Sequence, residues 1–221
     1  MSIPENLADI LARIGAARKA AINPAPATQL VAVSKTVDEA GIRAALAAGQ
    51  LCFGENRVQE AQAKFPALKA EFPALELHLI GPLQTNKVKE AMALFDVIES
   101  LDRVKLADAL AAERDKGAPC PRIFIQVNTG EEEQKAGVLP TDLAALLVHA
   151  RGLQLPVEGL MCIPPAGDDA APHFAFLLQR ARDLGLSQLS MGMSSDFELA
   201  VKFGATHVRV GSAIFGERLT K

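Results

Sequence analysis

Short apolar segments alternating with stretches of helical period run the length of this chain, and that alternation constrains its fold more than any other feature. The strand candidates are Leu30–Lys35, Leu51–Gly54, Leu75–Ile80, Asp96–Ser100, Arg122–Asn128, Val157–Ile163, Gln188–Met193 and His207–Gly211. Between them, apolar residues recur at three- and four-residue spacing over Asp38–Ala48, Val58–Ala70, Thr85–Ala93, Asp102–Lys116, Thr141–Arg151, Ala171–Leu184 and Ser195–Phe203. Glycine and proline punctuate the joins, as in Gly117-Ala118-Pro119 before the fifth strand and Gly204 after the last helix. Parallel neighbours need helical crossovers of this kind. Eight strands also close a (β/α)8 barrel, and 221 residues lies near the lower end of its usual size. An open doubly wound sheet is the alternative, but no GxGxxG turn follows the first strand. The expectation is one α/β domain over residues 1–221, a (β/α)8 TIM-type barrel. Only six residues follow Phe215, too few for an eighth outer helix. An amphipathic helix over Met1 to Ala20, with Ile3, Leu7, Ile10, Leu11 and Ile14 on one face, is expected to cover that gap.

Composition narrows the function. A 49% hydrophobic content is enough for a full core. A net charge of -3 and a pI of about 5.8 leave no electrostatic footprint for nucleic acid or an anionic membrane. Cys52, Cys120 and Cys162 are far apart and form neither a CxxC pair nor a zinc quartet, so free thiols in a reducing cytoplasm are expected. The charges Glu5, Asp9, Arg13, Arg18 and Lys19 argue against a signal peptide at the start. No apolar run approaches the ~18 residues of a membrane span. A monomer is expected. Tyrosine and tryptophan are absent altogether.

Lys35 ends the run Leu30-Val31-Ala32-Val33-Ser34, which reads as a buried strand. Burial disfavours an ammonium, so such a lysine is paired, neutralised or used in chemistry. A desolvated amine forms Schiff bases with aldehydes and ketones; the alternative is a stem that packs while its head reaches solvent. The other polar residues favour chemistry, because they gather at the C-terminal strand ends, the rim where barrels place their sites. Gly54-Glu55-Asn56-Arg57 follow the second strand, and His78 and Gly81 sit at the third. Asn128 ends the fifth, Met161 and Cys162 lie near the end of the sixth, Met191 to Ser194 end the seventh, and Arg209 to Ser212 close the eighth.

The loops after the seventh and eighth strands are a common phosphate site in barrels. Gly192-Met193-Ser194-Ser195-Asp196 offers hydroxyls and backbone N–H groups at a helix start, where Ser194 and Ser195 could equally act as N-caps. Gly211-Ser212 permits close backbone approach and adds a hydroxyl. Arg209 shares a strand face with Gly211 and must find an acceptor. An aldehyde that also carries a phosphate would satisfy both ends of such a site. Pyridoxal 5′-phosphate is that molecule, and Arg209 could meet its ring nitrogen.

Longer motifs support this reading. They are Val31-Ala32-Val33-Ser34-Lys35-Thr36, Phe53-Gly54-Glu55-Asn56-Arg57-Val58-Gln59-Glu60, and His78-Leu79-Ile80-Gly81-Pro82-Leu83-Gln84-Thr85-Asn86-Lys87. Val127-Asn128 with Lys135-Ala136-Gly137, Ser190-Met191-Gly192-Met193-Ser194-Ser195-Asp196 and Val208-Arg209-Val210-Gly211-Ser212-Ala213-Ile214-Phe215-Gly216 complete the set. Together they make the chain resemble the pyridoxal phosphate homeostasis protein family, whose barrel is that of the N-terminal domain of alanine racemase. The resemblance implies a fold type III barrel in which Lys35 holds the cofactor as an aldimine. It implies Ser194, Gly211 and Ser212 at the phosphate and Arg209 at the pyridine nitrogen, with Asn56, His78 and Asn128 lining the pocket. It further implies a regulator or carrier of the cofactor with no robust catalysis of its own, whose partners could include pyridoxal-phosphate-dependent apoenzymes.

In the racemase a tyrosine from a second domain is the second base; this chain has no tyrosine and is expected to have no such domain. An arginine at the ring nitrogen also makes the ring a weaker electron sink. The alternatives are an amino-acid racemase-like enzyme and a Schiff-base aldolase or lyase. No HExxH or Walker A motif is present, and the four histidines show no metal-ligand spacing. His149 and His173 read as surface residues, and Glu131-Glu132-Glu133 as a solvated loop. Lys135 reads as a surface lysine ahead of a second aldehyde-accepting amine.

Overall fold

The structure, a computed structural model, describes residues 2–216. Its strands are β1 (Gln29–Val33), β2 (Cys52–Glu55), β3 (Glu76–Leu79), β4 (Val97–Leu101), β5 (Arg122–Val127), β6 (Val157–Cys162), β7 (Gln188–Ser190) and β8 (His207–Val210). They close a barrel in sequence order, every pairing parallel, with β8 returning to β1 at Leu30↔Val208. The helices are α1 (Ile3–Lys19), α2 (Glu39–Ala47), α3 (Val58–Glu71), α4 (Val88–Leu94), α5 (Val104–Asp115), α6 (Leu143–Gly152), α7 (Ala170–Asp183), α8 (Phe197–Lys202) and α9 (Ser212–Phe215). Among the described residues no helix is long and apolar enough to cross a membrane.

The expected barrel is therefore present, with strand ends that differ in informative ways. β1 is apolar and buried from Leu30 to Val33 because both its faces are covered there, as in other parallel sheets. It stops at Val33, and Lys35 lies beyond the strand, in a turn with Thr36 at φ 64°. β7 stops at Ser190 because Gly192, at φ 92°, turns the chain out of the sheet. A side chain at Gly192 would collide with the Phe197 backbone, 2.9 Å from its Cβ.

α1 buries Leu7, Ile10, Ile14 and Ala17 and packs on α8, α9 and α2, so it covers the join between the last and first units. Glu5 accepts from the Ser2 N–H at 2.7 Å and closes the first turn. Leu11, expected on the buried face, is exposed, because the stripe is centred on Ile10 and Ile14. A further helix does follow β8: the single turn α9, with Gly211 accepting from Ile214 and Phe215. Residues 217–221 of the tail lie outside the described residues.

Most of the core lies between the barrel wall and the helices. The barrel interior differs. Beside a small apolar cluster of Val97, Phe124 and Met161, it holds the buried polar residues His78, Glu99, Ser190, His207 and Arg209. Barrel interiors are usually filled by layers of branched apolar side chains. Here a polar chain runs through the middle.

Candidate functional site

A cavity of about 890 Å³ opens at the C-terminal ends of the strands. Its lining includes Lys35, Asn56, Ser194, Arg209, Gly211 and Ser212, so all six residues singled out in the sequence converge there. Val33, Ile80, Ile163 and Met193 supply apolar wall, and Ile3 and Phe215 bring α1 and α9 to the rim.

The turn that carries Lys35 is held from α3. Lys64 Nζ donates to the Ser34 carbonyl at 2.9 Å and lies 2.6 Å from Glu55 Oε1. Ser34 Oγ donates to the same carboxylate at 2.7 Å, and Glu60 accepts from the Thr36 N–H at 2.5 Å. Burial pushes the Glu55 carboxyl up, against the opposing pull of Lys64 and Ser34. The left-handed conformation at Thr36 is costly for a β-branched residue, and the Glu60 bond helps to hold it. Lys35 is thus presented from a fixed turn, half-buried at the cavity wall.

Beside it, after β7 and β8, lies a cup of small donors. Ser194 Oγ accepts from the Gly211 N–H at 3.4 Å and stands 3.3 Å from Ser212 Oγ. A Cβ at Gly211 would lie 3.2 Å from the Val33 carbonyl oxygen, so glycine lets β8 close against β1 here. Ser194 does not cap α8. Asp196 occupies the cap position, its Oδ1 accepting from the Met193 N–H at 2.6 Å. That leaves Ser194 to face the cavity, while Ser195 is exposed and does not line it.

Arg209 forms the floor. Its Nη1 donates to Ser190 Oγ at 2.6 Å and its Nη2 to the Cys162 carbonyl at 2.8 Å, with Glu99 3.8 Å away. Ser190 Oγ donates onward to Glu99 at 2.6 Å. His78 Nδ1 meets the other Glu99 oxygen at 2.6 Å, and its Nε2 meets Glu76 at 2.5 Å. Burial pushes the Glu99 carboxyl up, but the His78 bond and the charges of His78 and Arg209 outweigh it and bring Glu99 to about 2. The bond from His78 brings Glu76 to about 2 as well, against its burial. Burial alone would lower His78; its neighbours Cys52, Glu76 and Glu99 raise it well above the ordinary range. An imidazolium between two carboxylates accounts for all three directions. His207, beside it, is brought down to about 4, chiefly by burial.

Three expectations need correcting. His78 does not line the cavity; it is fully buried beneath it, as part of this chain. Asn128 does not line it either: its side chain donates to the Glu132 carbonyl and accepts from the Glu132 N–H, tying down the loop that carries exposed Lys135. His173 is not a surface residue, since its side chain is 15% exposed and its Nδ1 lies 2.9 Å from Thr129 Oγ1. His149 is at the surface, as expected, partly exposed and paired with Asp108. Sequence reasoning missed Glu99 and Ser190. The available signal was a carboxylate in the middle of Val97-Ile98-Glu99-Ser100-Leu101, where a strand core requires a buried partner.

Comparison with known proteins places this geometry. The model of the alanine racemase N-terminal domain family matches residues 6–219. The pyridoxal phosphate homeostasis protein of Pseudomonas aeruginosa is 44% identical over 98% of this chain and 96% of its own length. That of Aquifex aeolicus is 43% identical over 99% of both. Among solved structures, PipY of Synechococcus elongatus, determined with pyridoxal phosphate bound, superposes with a TM-score of 0.82 at 42% identity. It covers 97% of this chain and 100% of that one. An alanine racemase from Clostridium difficile shares the fold at a TM-score of 0.73 and 13% identity, over 98% of this chain and 58% of that one.

Proposed function

The chain belongs to the alanine racemase N-terminal domain family, and on that premise we propose that it binds pyridoxal 5′-phosphate in the C-terminal cavity and serves the cell's supply of that cofactor as a carrier or regulator. The observation that carries the reading is the convergence of one amine, two hydroxyls, a close-approach glycine and one guanidinium on a single cavity. That donor set fits the molecule. When bound, the cofactor supplies an aldehyde that a lysine amine can capture reversibly. Lys35 is the amine, held ready by the turn that Lys64 and Glu60 clamp. Ser194, Ser212 and the Gly211 backbone form the phosphate end. Arg209 faces the ring end, its position fixed from below by Ser190, the Cys162 carbonyl and Glu99. Asn56 completes the wall beside Lys35.

We infer a carrier ahead of a racemase for two reasons. An arginine cannot give up its proton, so Arg209 does not favour protonation of a ring nitrogen that it faces. The sequence also contains no tyrosine to act as a phenolic base opposite Lys35. The three free cysteines fit a reducing compartment such as the cytoplasm.

The test is titration of the purified full-length chain with pyridoxal phosphate, followed by visible absorbance, with NMR measurement of α-proton exchange on added alanine. Saturable binding with a visible chromophore and little exchange is expected. No saturable binding would refute the cofactor reading, and rapid racemisation of alanine would refute the carrier reading.

A further inference from the structure

At the opposite end of the barrel, the first residues of neighbouring strands bring together a second set of side chains that the cavity does not use. Cys52 opens β2 and Glu76 opens β3, the two paired in register. His78 is two residues further along β3, so its side chain leaves the strand on the same side as that of Glu76. The Cys52 thiol, a Glu76 carboxylate oxygen and a His78 ring nitrogen all lie within 4.8 Å of one another. Sγ to Oε1 is 3.9 Å, and Nε2 to Oε1 is 2.5 Å. We propose that Cys52, Glu76 and His78 form a zinc-binding site at the N-terminal mouth of the barrel, separate from the cavity at the other end.

Geometry and donor chemistry both support this. Zinc takes sulfur at about 2.3 Å and nitrogen or oxygen at about 2.0–2.2 Å in a tetrahedron. Its ligand atoms therefore stand roughly 3.3–3.8 Å apart. The sulfur–oxygen spacing is already close to that, and seating the ion requires the carboxylate and imidazole to separate by about 1 Å. Zinc displaces the Cys52 thiol proton and the His78 Nε2 proton to solvent, and the resulting thiolate, imidazole and carboxylate are a borderline-soft set that suits zinc and not magnesium or calcium.

The surroundings are those of a built site. A metal-bound histidine commonly gives its other ring nitrogen to a carboxylate, which fixes the tautomer and the ring. Here that partner is Glu99, which Ser190 holds in turn. The second Glu76 oxygen is held by Arg122 at 2.8 Å. Three protein ligands leave a fourth position for water, the arrangement of open zinc sites. Glu76 is 27% exposed and gives the ion a way in from solvent, while Cys52 and His78 are buried.

The experiment uses the full-length protein treated with a chelator and then dialysed against zinc chloride. Bound metal is measured by elemental analysis, and affinity by competition with a chromophoric chelator. One zinc per chain is expected. Cys52→Ser and Glu76→Gln should each weaken binding at least tenfold, Glu99→Gln roughly 10–100-fold, and Cys120→Ser not at all. X-ray absorption of the zinc form should show one sulfur neighbour, absent in Cys52→Ser. Cys52→Ala, a small apolar replacement checked by circular dichroism, guards against loss of fold as the cause. Less than half an equivalent of zinc in the parent would overturn the proposal. So would affinity unchanged from the parent in Cys52→Ser and Glu76→Gln, or loss of zinc in Cys120→Ser; the cluster would then be an ion-pair network alone. None of these outcomes depends on whether the other cavity takes pyridoxal phosphate.

Discussion

The two halves of this barrel use similar residues to opposite ends. At the C-terminal mouth, Lys35, Ser194, Ser212 and Arg209 line a cavity of about 890 Å³. Directly below, Arg209, Ser190, Glu99 and His78 form a buried chain that ends at partly exposed Glu76, each group meeting the next. Arg209 belongs to both. A polar group that faces a cavity is available to a ligand, whereas one locked to a buried partner stabilises or specifies the fold. Residue type alone does not separate these roles; the partners do.

The sharpest way to break this comparison is at Glu99. Its removal leaves Arg209 and His78 buried beside a vacancy, so Glu99→Ala should destabilise the fold by about 3–5 kcal/mol. Urea denaturation measures this, and a loss below about 1 kcal/mol, the scale of an exposed pair, would show that the interior chain is not held by charge.

Acid titration probes the same interior through His207. Its pKa of about 4 in the fold lies below the ordinary 6.5, so the unfolded chain binds the proton first as pH falls. This contribution is whole above pH 6.5 and is lost progressively towards pH 4. The parent should therefore lose up to about 3 kcal/mol more than His207→Asn across that window. Parallel stability curves for the two proteins would contradict it.

At the mouth the effect should fall on binding. Gly211→Val pushes a side chain against the Val33 carbonyl and should reduce cofactor affinity more than Ser194→Ala does. Ser194→Ala should weaken affinity by roughly 1.5–3 kcal/mol, the worth of a hydrogen bond to a charged group. Its stability should change by no more than about 0.5 kcal/mol. Titration with pyridoxal phosphate beside thermal denaturation separates the two readouts. A stability loss that exceeded the binding loss would assign Ser194 to the scaffold.

The barrel was legible because short strand segments with apolar residues alternate with crossovers of helical period along the whole chain. The six cavity residues were legible because barrel geometry sends strand C-termini to one rim, and these residues sit at those termini. His78 and Asn128 have similar sequence positions yet point elsewhere: His78 into the interior, Asn128 to its own loop. Strand alternation gives a side, but it does not say whether that side meets a cavity or a buried partner. Glu99 stayed hidden for the same reason, since its partners come from β3, β7 and β8. It also changes how Arg209 can be tested. Arg209→Glu would set a carboxylate beside Glu99, so Arg209→Gln is the better probe of the ring end.

The central claim, that Lys35 is the amine through which the cavity holds pyridoxal phosphate, is tested most directly by borohydride reduction of the loaded protein and peptide mapping by mass spectrometry. A pyridoxyl adduct on the peptide carrying Lys35, and none in Lys35→Ala, is the expected result. An adduct on Lys135 or Lys87 with Lys35 unmodified would contradict it.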